Sequence, residues 1–599
     1  MSTKIKTLPR VILAASIFAG LVAGFKCAAD RGLIGPPSTK SEVPKIADLP
    51  QVGSSNTIVA SSPVQLPGTK VAKSSAPEIR MQVMAWNSQM GMLFANGGAS
   101  TTEGSLMDQH KVNLSIIRED DTNKMTASLM AFANGLKSNA QPTQGVHFLV
   151  LMGDGTAAFL AGVNAELSKI GKEYQAEIIG STGYSRGEDK FMGPADWRDH
   201  PKVSVGGLVA GVIRDGDWNI AMKWAGDNGI KNNPDETTWD PDALNWVNAT
   251  DFIEAGQKYI TGACEDRKVV QNGKLTGEKK HVCVNAVVTW TPGDVNVAQN
   301  KGGLVSIVST REYRSQMPSA IIGIRKWDAA NKDEIIGMLA AICEGGDQVR
   351  SFPAALSHAA KISAEVYKEK DAAYWEKYYK GATEADKTGV QVNLGGSYAS
   401  NYADLEELFG LSEGSANVFA ATYTVFGDIV VQQYPKLVPN YPKVDDILNL
   451  SFVKAIKPKI STTAAVATAD MPKFTGGPVT KVVSKRNWSI NFQTGSASFD
   501  PSAQVQLQQL KNGLLVADEL AIEIHGHTDN TGDPGNNMKL SQARANAVKV
   551  WLEKQSSTNF PDSRFTVVPH GQNDPVASNA NEDGRSKNRR VVIVLGTSN

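Results

Sequence analysis

"HGHTDNTGDPGNNMKLSQARANAVKVWL" runs from His525 to Leu552, and its reading decides the fold of the C-terminal part of the chain. The alternating run "LAIEIHGH" leads into it as a strand, which stops at a His-Thr-Asp loop. Gly532 and Gly535 admit tight turns with positive φ, and Asn536 and Asn537 can bond nearby backbone. A helix follows, for which Ser541 reads as the cap. Leu540, Ala543, Ala547, Val548 and Leu552 fall on one apolar face at helical spacing. Arg544 lies off that stripe, so it is expected to point toward solvent or the preceding loop. Asp529 and Arg544 therefore stand as an acid and a base across a built loop. A carboxylate accepts an ammonium and a guanidinium grips a carboxylate in two parallel bonds, so the pair suits a zwitterion. The same two residues also suit an ordinary loop–helix salt bridge.

The neighbouring sequence alternates in the same way. "WSINF" (488–492) reads as a strand, "PSAQVQLQQLKNGLLV" (501–516) as a helix, and "FTVVPH" (565–570) and "RRVVIVLG" (589–596) as strands. This gives a compact βαβαββ unit over 485–599. Its motifs resemble the OmpA-like peptidoglycan-binding domain. Thr528, Asp529, Gly532, Asn537, Leu540, Ser541 and Arg544 match the first signature in register. Gly571, Pro575, Asn579, Gly584, Arg585, Asn588, Arg589, Arg590 and Val591 match the second. Pro569 departs from the pattern where the family often has a glycine, and Gln572 replaces a common acid. The resemblance implies that Asp529 and Arg544 hold the free amino-acid end of diaminopimelate in a peptidoglycan stem peptide, supported by Thr528, Asn537 and Arg589.

At 599 residues the whole chain is too long for one core, so two or three folded units are expected. Lys plus Arg and Asp plus Glu each number 61, and with this balance no nucleic-acid partner is expected. Lys4, Lys6 and Arg10 precede the apolar run Val11–Phe25, so residues 1–29 read as a secretory signal or a short membrane anchor. Either way the body of the chain is exported to the periplasm, and it is tethered to the inner membrane if the segment stays uncut. Residues 30–79 and 456–484 are rich in Pro, Ser, Thr and Lys and read as linkers.

Between the linkers, 80–455 alternates strands with helices. "EIRMQVMAW", "VNLSIIRED", "VHFLVLM", "AEIIGST", "VNAVVTW" and "GLVSIVST" read as strands. "TASLMAFANGLK", "GTAAFLAGVNAELSKIG", "DWNIAMKWAGDNG", the segment from Asn248 to Ile260 and "KDEIIGMLAAICEG" read as helices. The pattern predicts parallel α/β sheets with ligands at the C-terminal strand ends. Gly153–Thr156, opening a helix, offers free N–H groups to an anion, or is a plain turn capped by Thr156. "GYSRG" (183–187) fits the nucleophile-elbow pattern around Ser185, but loop rather than helix follows it, and no histidine can be placed as its partner. The absence of a CxxC or Cys/His cluster argues against a metal site, and no cofactor is expected. Cys343 reads as a buried helical thiol. Cys264 and Cys283 bracket a hairpin with an Asn272-Gly273 turn, either bridged in an oxidising compartment or left as two thiols.

The block resembles the two-lobed periplasmic solute-binding proteins of the nitrate/taurine type, through "MQVMAWNSQMGMLFANGG", "HKVNLSIIREDD", "VVTWTPGD" and "QMPSAIIGIRKW" in order. The hairpin and "GGSYASNYADLEELFGL" look like additions. The resemblance implies a cleft lined by Trp86, Asn87, Ser88, Gly155, Thr156, Ser185, Arg186, Asp227 and Trp290. The expectation is a non-enzymatic envelope protein that grips peptidoglycan and presents a domain for a small solute or an envelope-protein partner. The rivals are a ligand-free cleft that docks a protein and a serine hydrolase using Ser185.

Overall fold

The computed structural model describes residues 64–457, 469–493 and 495–598. The proposed signal or anchor and most of the first linker lie outside the described residues. So does the middle of the second linker. Among the described residues no helix is long and apolar enough to cross a membrane.

The central region has two lobes, each built on one sheet. The first sheet has the order Asn113–Arg118, Glu78–Val83, Phe148–Met152, Ser319–Ile324, Ala176–Gly180. Glu78–Val83 runs parallel to Asn113–Arg118 and to Phe148–Met152. Ser319–Ile324 runs antiparallel to both of its neighbours. The second sheet has the order Val305–Ser309, Lys190–Gly193, Ala286–Thr289, Leu208–Gly211, Ala243–Asn248, Lys231–Asn232. The chain leaves the first sheet after Ala176–Gly180 and returns as Ser319–Ile324, so two segments, 181–189 and 310–318, cross between the lobes. The sheets are therefore mixed rather than purely parallel. A returning strand that arrives without a helical crossover inserts in the opposite sense. Phe148–Met152 and Ser319–Ile324 are buried along their whole lengths, and the first accordingly reads as an unbroken apolar run.

Close backbone approach fixes the helical layer of the first lobe. Met90–Asn96, wholly buried, packs on Lys332–Ser351, which also buries Cys343. A Cβ on Gly345 would lie 2.2 Å from the carbonyl oxygen of Gly91, so only glycine fits there. The "GGSYASNYADLEELFGL" addition builds on the crossover, where Ser397–Ala399 pairs antiparallel with Gly183–Ser185. The other addition is the hairpin Cys264–Gln271 and Lys274–Cys283. Asn272 and Gly273 both take positive φ, as a two-residue hairpin turn requires, and Cys264 faces Cys283 in a disulfide.

The C-terminal domain is a four-stranded sheet in the order Lys481–Trp488, Val591–Thr597, Ala521–His527, Phe565–Gly571. The last two strands are parallel, and Val591–Thr597 is antiparallel to both of its neighbours. Helices Gln504–Val516, Pro534–Gln555 and Glu582–Asn588 connect the strands, so a third short helix joins the expected plan. Two linker boundaries shift. The first strand is Lys481–Trp488 rather than "WSINF", and it starts inside the stretch read as linker. Residues 64–77 dock on the central domain through hydrogen bonds such as Gly68 N–H to Glu103 O (3.0 Å) and Ala72 N–H to Thr101 O (2.9 Å).

Helix Val418–Gln433 of the central region packs on helix Gln504–Val516 of the C-terminal domain. Beside them the second crossover supplies Arg314. It pairs with Asp470 (2.7 Å), Glu519 (3.2 Å) and Asp518 (3.5 Å). Ser315 Oγ donates to the same Asp518 carboxylate at 2.7 Å.

Candidate functional site

The loop after Ala521–His527 is organised around Asp529. Its Oδ1 accepts the Thr531 N–H at 2.8 Å and its Oδ2 accepts Arg589 Nη1 at 2.6 Å. Burial works to raise this carboxyl, but the hydrogen bonds from Arg589 and Thr531 outweigh it and hold the group below the usual carboxylate range. Asn537 donates to the carbonyls of Asp529 (3.3 Å) and Thr531 (3.1 Å) and to Gln572 Oε1 (2.8 Å). Thr528 Oγ1 donates to the Asp529 carbonyl at 2.9 Å. Arg589 is fixed from its far side by Glu582 at 2.5 Å. Arg544 donates its Nε to the Ser496 carbonyl (3.0 Å) and lies over the Phe492 ring at 5.1 Å. Its Nη groups take no hydrogen bond among the described residues. Burial, then the like charge of Arg589, lowers its pKa, against the pull of Asp529. Thr528, Asp529, Asn537 and Arg589 are thus tied together, and Arg544 stands near enough to feel the charges of Asp529 and Arg589, so the five residues expected from the motifs form one cluster. It offers a held carboxylate, a guanidinium with donors to spare, and a second arginine.

The helix that carries Arg544 is phased differently from the sequence reading. It runs Pro534–Gln555 and is capped by Asp533, whose Oδ1 accepts the Asn536 N–H at 2.9 Å, so Ser541 lies mid-helix. Its buried positions are Asn537, Ser541, Arg544, Ala545, Val548 and Leu552, whereas Ala543 is exposed. Arg544 therefore sits on the inward face. The polar members of that face have partners an apolar count cannot register. Ser541 Oγ, for example, accepts the Gly571 N–H at 3.0 Å.

The cleft residues divide. Trp86 Nε1 donates across the lobes to Asp189 Oδ2 (3.2 Å), and the Asn87 N–H to Glu188 Oε1 (3.5 Å). Trp290, its ring tilted against that of Phe252 at 4.1 Å, donates its Nε1 to the Ala85 carbonyl (3.4 Å). Ser88 is fully buried. Gly155 and Thr156 open their helix as expected, with Thr156 Oγ1 on the Gly153 carbonyl at 2.5 Å. Asp154, just before them, takes Gln316 Nε2 on its Oδ2 at 2.8 Å and stands near Asp189 and Asp215, so the turn is acidic and suits the plain Thr156-capped reading better than an anion. Arg186 turns away from the cleft. It lies over Tyr184 at 4.0 Å and donates to the carbonyls of Ser185 and Arg314. Asp227 faces the C-terminal domain instead. It pairs with Lys223 (2.6 Å) and Arg486 (3.7 Å) and lines a cavity of about 950 Å³ between that domain and the central region. Ser185 Oγ pairs with Thr310 Oγ1 (2.6 Å) and accepts the Asp189 N–H (3.1 Å). These partners cannot serve as a general base, and Ser185 lies in a strand rather than at an elbow.

What the sequence reading missed is the acidity of the cleft. Asp154, Glu188, Asp189, Asp215 and Asp217 converge from three loops, and all but the half-buried Asp215 are shielded from solvent. Burial pushes Asp154, Glu188 and Asp217 well above the usual carboxylate range, raises Asp215, and moves Asp189 to about 6. The usable signal was the acid doublets "GED" (187–189) and "DGD" (215–217), the latter just after a buried strand.

The two lobes and the C-terminal sheet define a protein of mixed α/β fold. Residues 491–589 match the OmpA family, and the C-terminal domain is an OmpA-family domain. It is similar to the outer-membrane lipoprotein YfiB of Pseudomonas aeruginosa, 36% identical over 96 residues, which are 16% of this chain and 55% of the relative. It is also similar to the peptidoglycan-binding protein ArfA of Mycobacterium tuberculosis, 35% identical over 121 residues, 20% of this chain and 33% of the relative. The chain thus spans between a third and about half of the length of these relatives. The central region resembles the nitrate-binding protein NrtA from Synechocystis, at 8% identity and a TM-score of 0.43, over 66% of this chain and 93% of that one.

Proposed function

We propose that this is an envelope protein of the periplasm. Its C-terminal domain grips peptidoglycan, and its central domain binds a small solute between its lobes. The carrying observation is the convergence of Asp529, Arg544 and Arg589, backed by Thr528 and Asn537, in a domain whose relatives include a peptidoglycan-binding protein. In the bound state the Arg544 Nη groups grip the carboxylate of a diaminopimelate end, and Asp529, kept ionised, takes its ammonium. The work is binding and positioning rather than chemistry. A solute rather than a docked protein suits the cleft, because its polar groups face inward from both lobes and are buried. Asp529→Ala or Arg544→Ala should abolish co-sedimentation with purified peptidoglycan. Each removes a charge-assisted pair at the ligand, a loss of roughly 1.5–3 kcal/mol or tenfold to hundredfold in affinity. Unchanged sedimentation by folded variants refutes the assignment.

A further inference from the structure

We infer that the solute of the central cleft is a small organic cation carrying N–H donors, of the amine or guanidine class. The inference rests on the solute-binding reading above and names its ligand chemistry. Its basis is the imbalance of the cleft's own groups. Among the described residues, the buried Asp154 Oδ1, Asp189 Oδ1, Asp217 Oδ1, Asn219 Oδ1, Gln316 Oε1 and Asn87 Oδ1 have no hydrogen-bond donor. Each belongs to a side chain at least nine-tenths buried. They form one neighbourhood. Gln316 Nε2 reaches Asp154 Oδ2 at 2.8 Å, Asn219 Nδ2 reaches the Asp154 carbonyl at 3.2 Å, and the Asp189 and Asp217 carboxyls come within hydrogen-bonding reach of each other. Unmet acceptors outnumber unmet donors, which here are Asn87 Nδ2, Ser88 Oγ and the Trp218 Nε1–H. Buried acceptors need a donor supplied to them, and a cation among these acids would offset the burial that disfavours the ionised forms of Asp154, Glu188 and Asp217.

The chain's own cations do not meet this need. Lys190, 1% exposed, is paired with Asp294 and donates to the Asn393 carbonyl at 3.1 Å. Arg186 is turned onto Tyr184 and the Arg314 carbonyl. The chain's own acids stand at both helix starts at the cleft, Asp154 beside Gly155 and Asp215 accepting the Gly216 N–H at 2.8 Å, so an incoming anion meets acids there. A nitrate or a sulfonate would also add a like charge beside the acids. A bare metal ion fits poorly. Among the described residues the compact His and carboxylate group able to hold one lies elsewhere, at His527/His570/Asp574, and the other such group, Cys264/His281/Cys283, has its sulfurs tied up in the disulfide. The indole of Trp86, already bonded to Asp189, is a suitable wall for an organic cation.

The test is a thermal-shift and calorimetric titration of the full exported chain with putrescine, agmatine and lysine, against nitrate, taurine, magnesium and calcium. At least one amine should raise the melting temperature, and nitrate and taurine should not. Asp189→Asn and Asp217→Asn should each weaken amine binding roughly tenfold to hundredfold. Asn87→Ala breaks no side-chain hydrogen bond of the fold and should weaken it too, which keeps the test valid if an acid variant fails to fold. Binding of nitrate or taurine in place of the amines overturns the cation assignment but leaves the solute-binding reading intact, as does a response to the divalent ions alone. A chain blind to every probe overturns both.

Discussion

Replacing Arg314 by alanine removes the one guanidinium that ties three carboxylates together where the C-terminal domain meets the second crossover. Arg314 is 6% exposed, and its partners Asp518 and Glu519 are largely buried with it. Burial works to lower its pKa, and the charges of Asp470, Asp518 and Glu519 overcome this to hold it well above its ordinary value. Deleting one member of a buried ion network leaves its partners uncompensated, at a cost of about 3–5 kcal/mol. Here Asp518 and Glu519 are chain neighbours left facing each other, which favours the upper half of that range. Asp518 keeps the Ser315 hydroxyl, which offsets part of the loss. The C-terminal domain has its own four-stranded core, so the loss should fall on the docking rather than on either fold. Calorimetry should resolve two melting transitions in the variant where the parent gives one, with the interface releasing first. Asp518→Asn, which keeps a polar partner for Ser315, should cost less. A variant that loses under about 1 kcal/mol and keeps a single transition refutes the reasoning, because an exposed pair would behave that way.

Two pH effects of opposite sign follow from buried titratable groups. Burial, then the charge of Arg80, lowers His147 to about 3, and the ring accepts the Arg80 N–H at 3.0 Å while neutral. Its folded pKa lies below the unfolded 6.5, so stability falls as pH drops from about 6.5 to 3; His147→Gln should remove a slope of up to about 1.4 kcal/mol per pH unit, read from urea midpoints. Asp189 is raised to about 6, so its neutral form stabilises the fold below the ordinary 3.8 and that contribution is lost as pH climbs through 6. Asp189→Asn should therefore gain on the parent over the same window, and parallel curves would contradict the burial argument. In the C-terminal domain a Cβ on Gly526 would lie 2.1 Å from the Ser541 carbonyl of helix Pro534–Gln555. Gly526→Ala should lower the melting temperature by the equivalent of about 1–3 kcal/mol and weaken peptidoglycan sedimentation with it. Gly513→Ala meets nothing within 4 Å in its own helix and should stabilise by up to about 1 kcal/mol.

The sequence by itself determined whatever depends on local spacing. Alternating and helical periodicity marked the strands and helices of both domains. Asn272-Gly273 marked the hairpin, and the two motifs marked Asp529, Arg544 and Arg589 as spatial neighbours. These features are legible because each is set by neighbours a few residues apart, or by a motif that carries its own geometry. Only the tertiary structure decided where polar groups go. Asn537, Ser541 and Arg544 face inward because loop carbonyls and backbone N–H groups satisfy them, and an apolar stripe counts such residues as outward. Arg186 and Asp227 left the cleft for partners more than eighty residues away, Arg314 and Arg486. Asp154, Glu188, Asp189 and Asp217 entered it together from loops on both lobes. Periodicity reports the preference of each side chain for oil or water. The destination of a charge depends on which distant group can pair with it, and that is settled only when the lobes close.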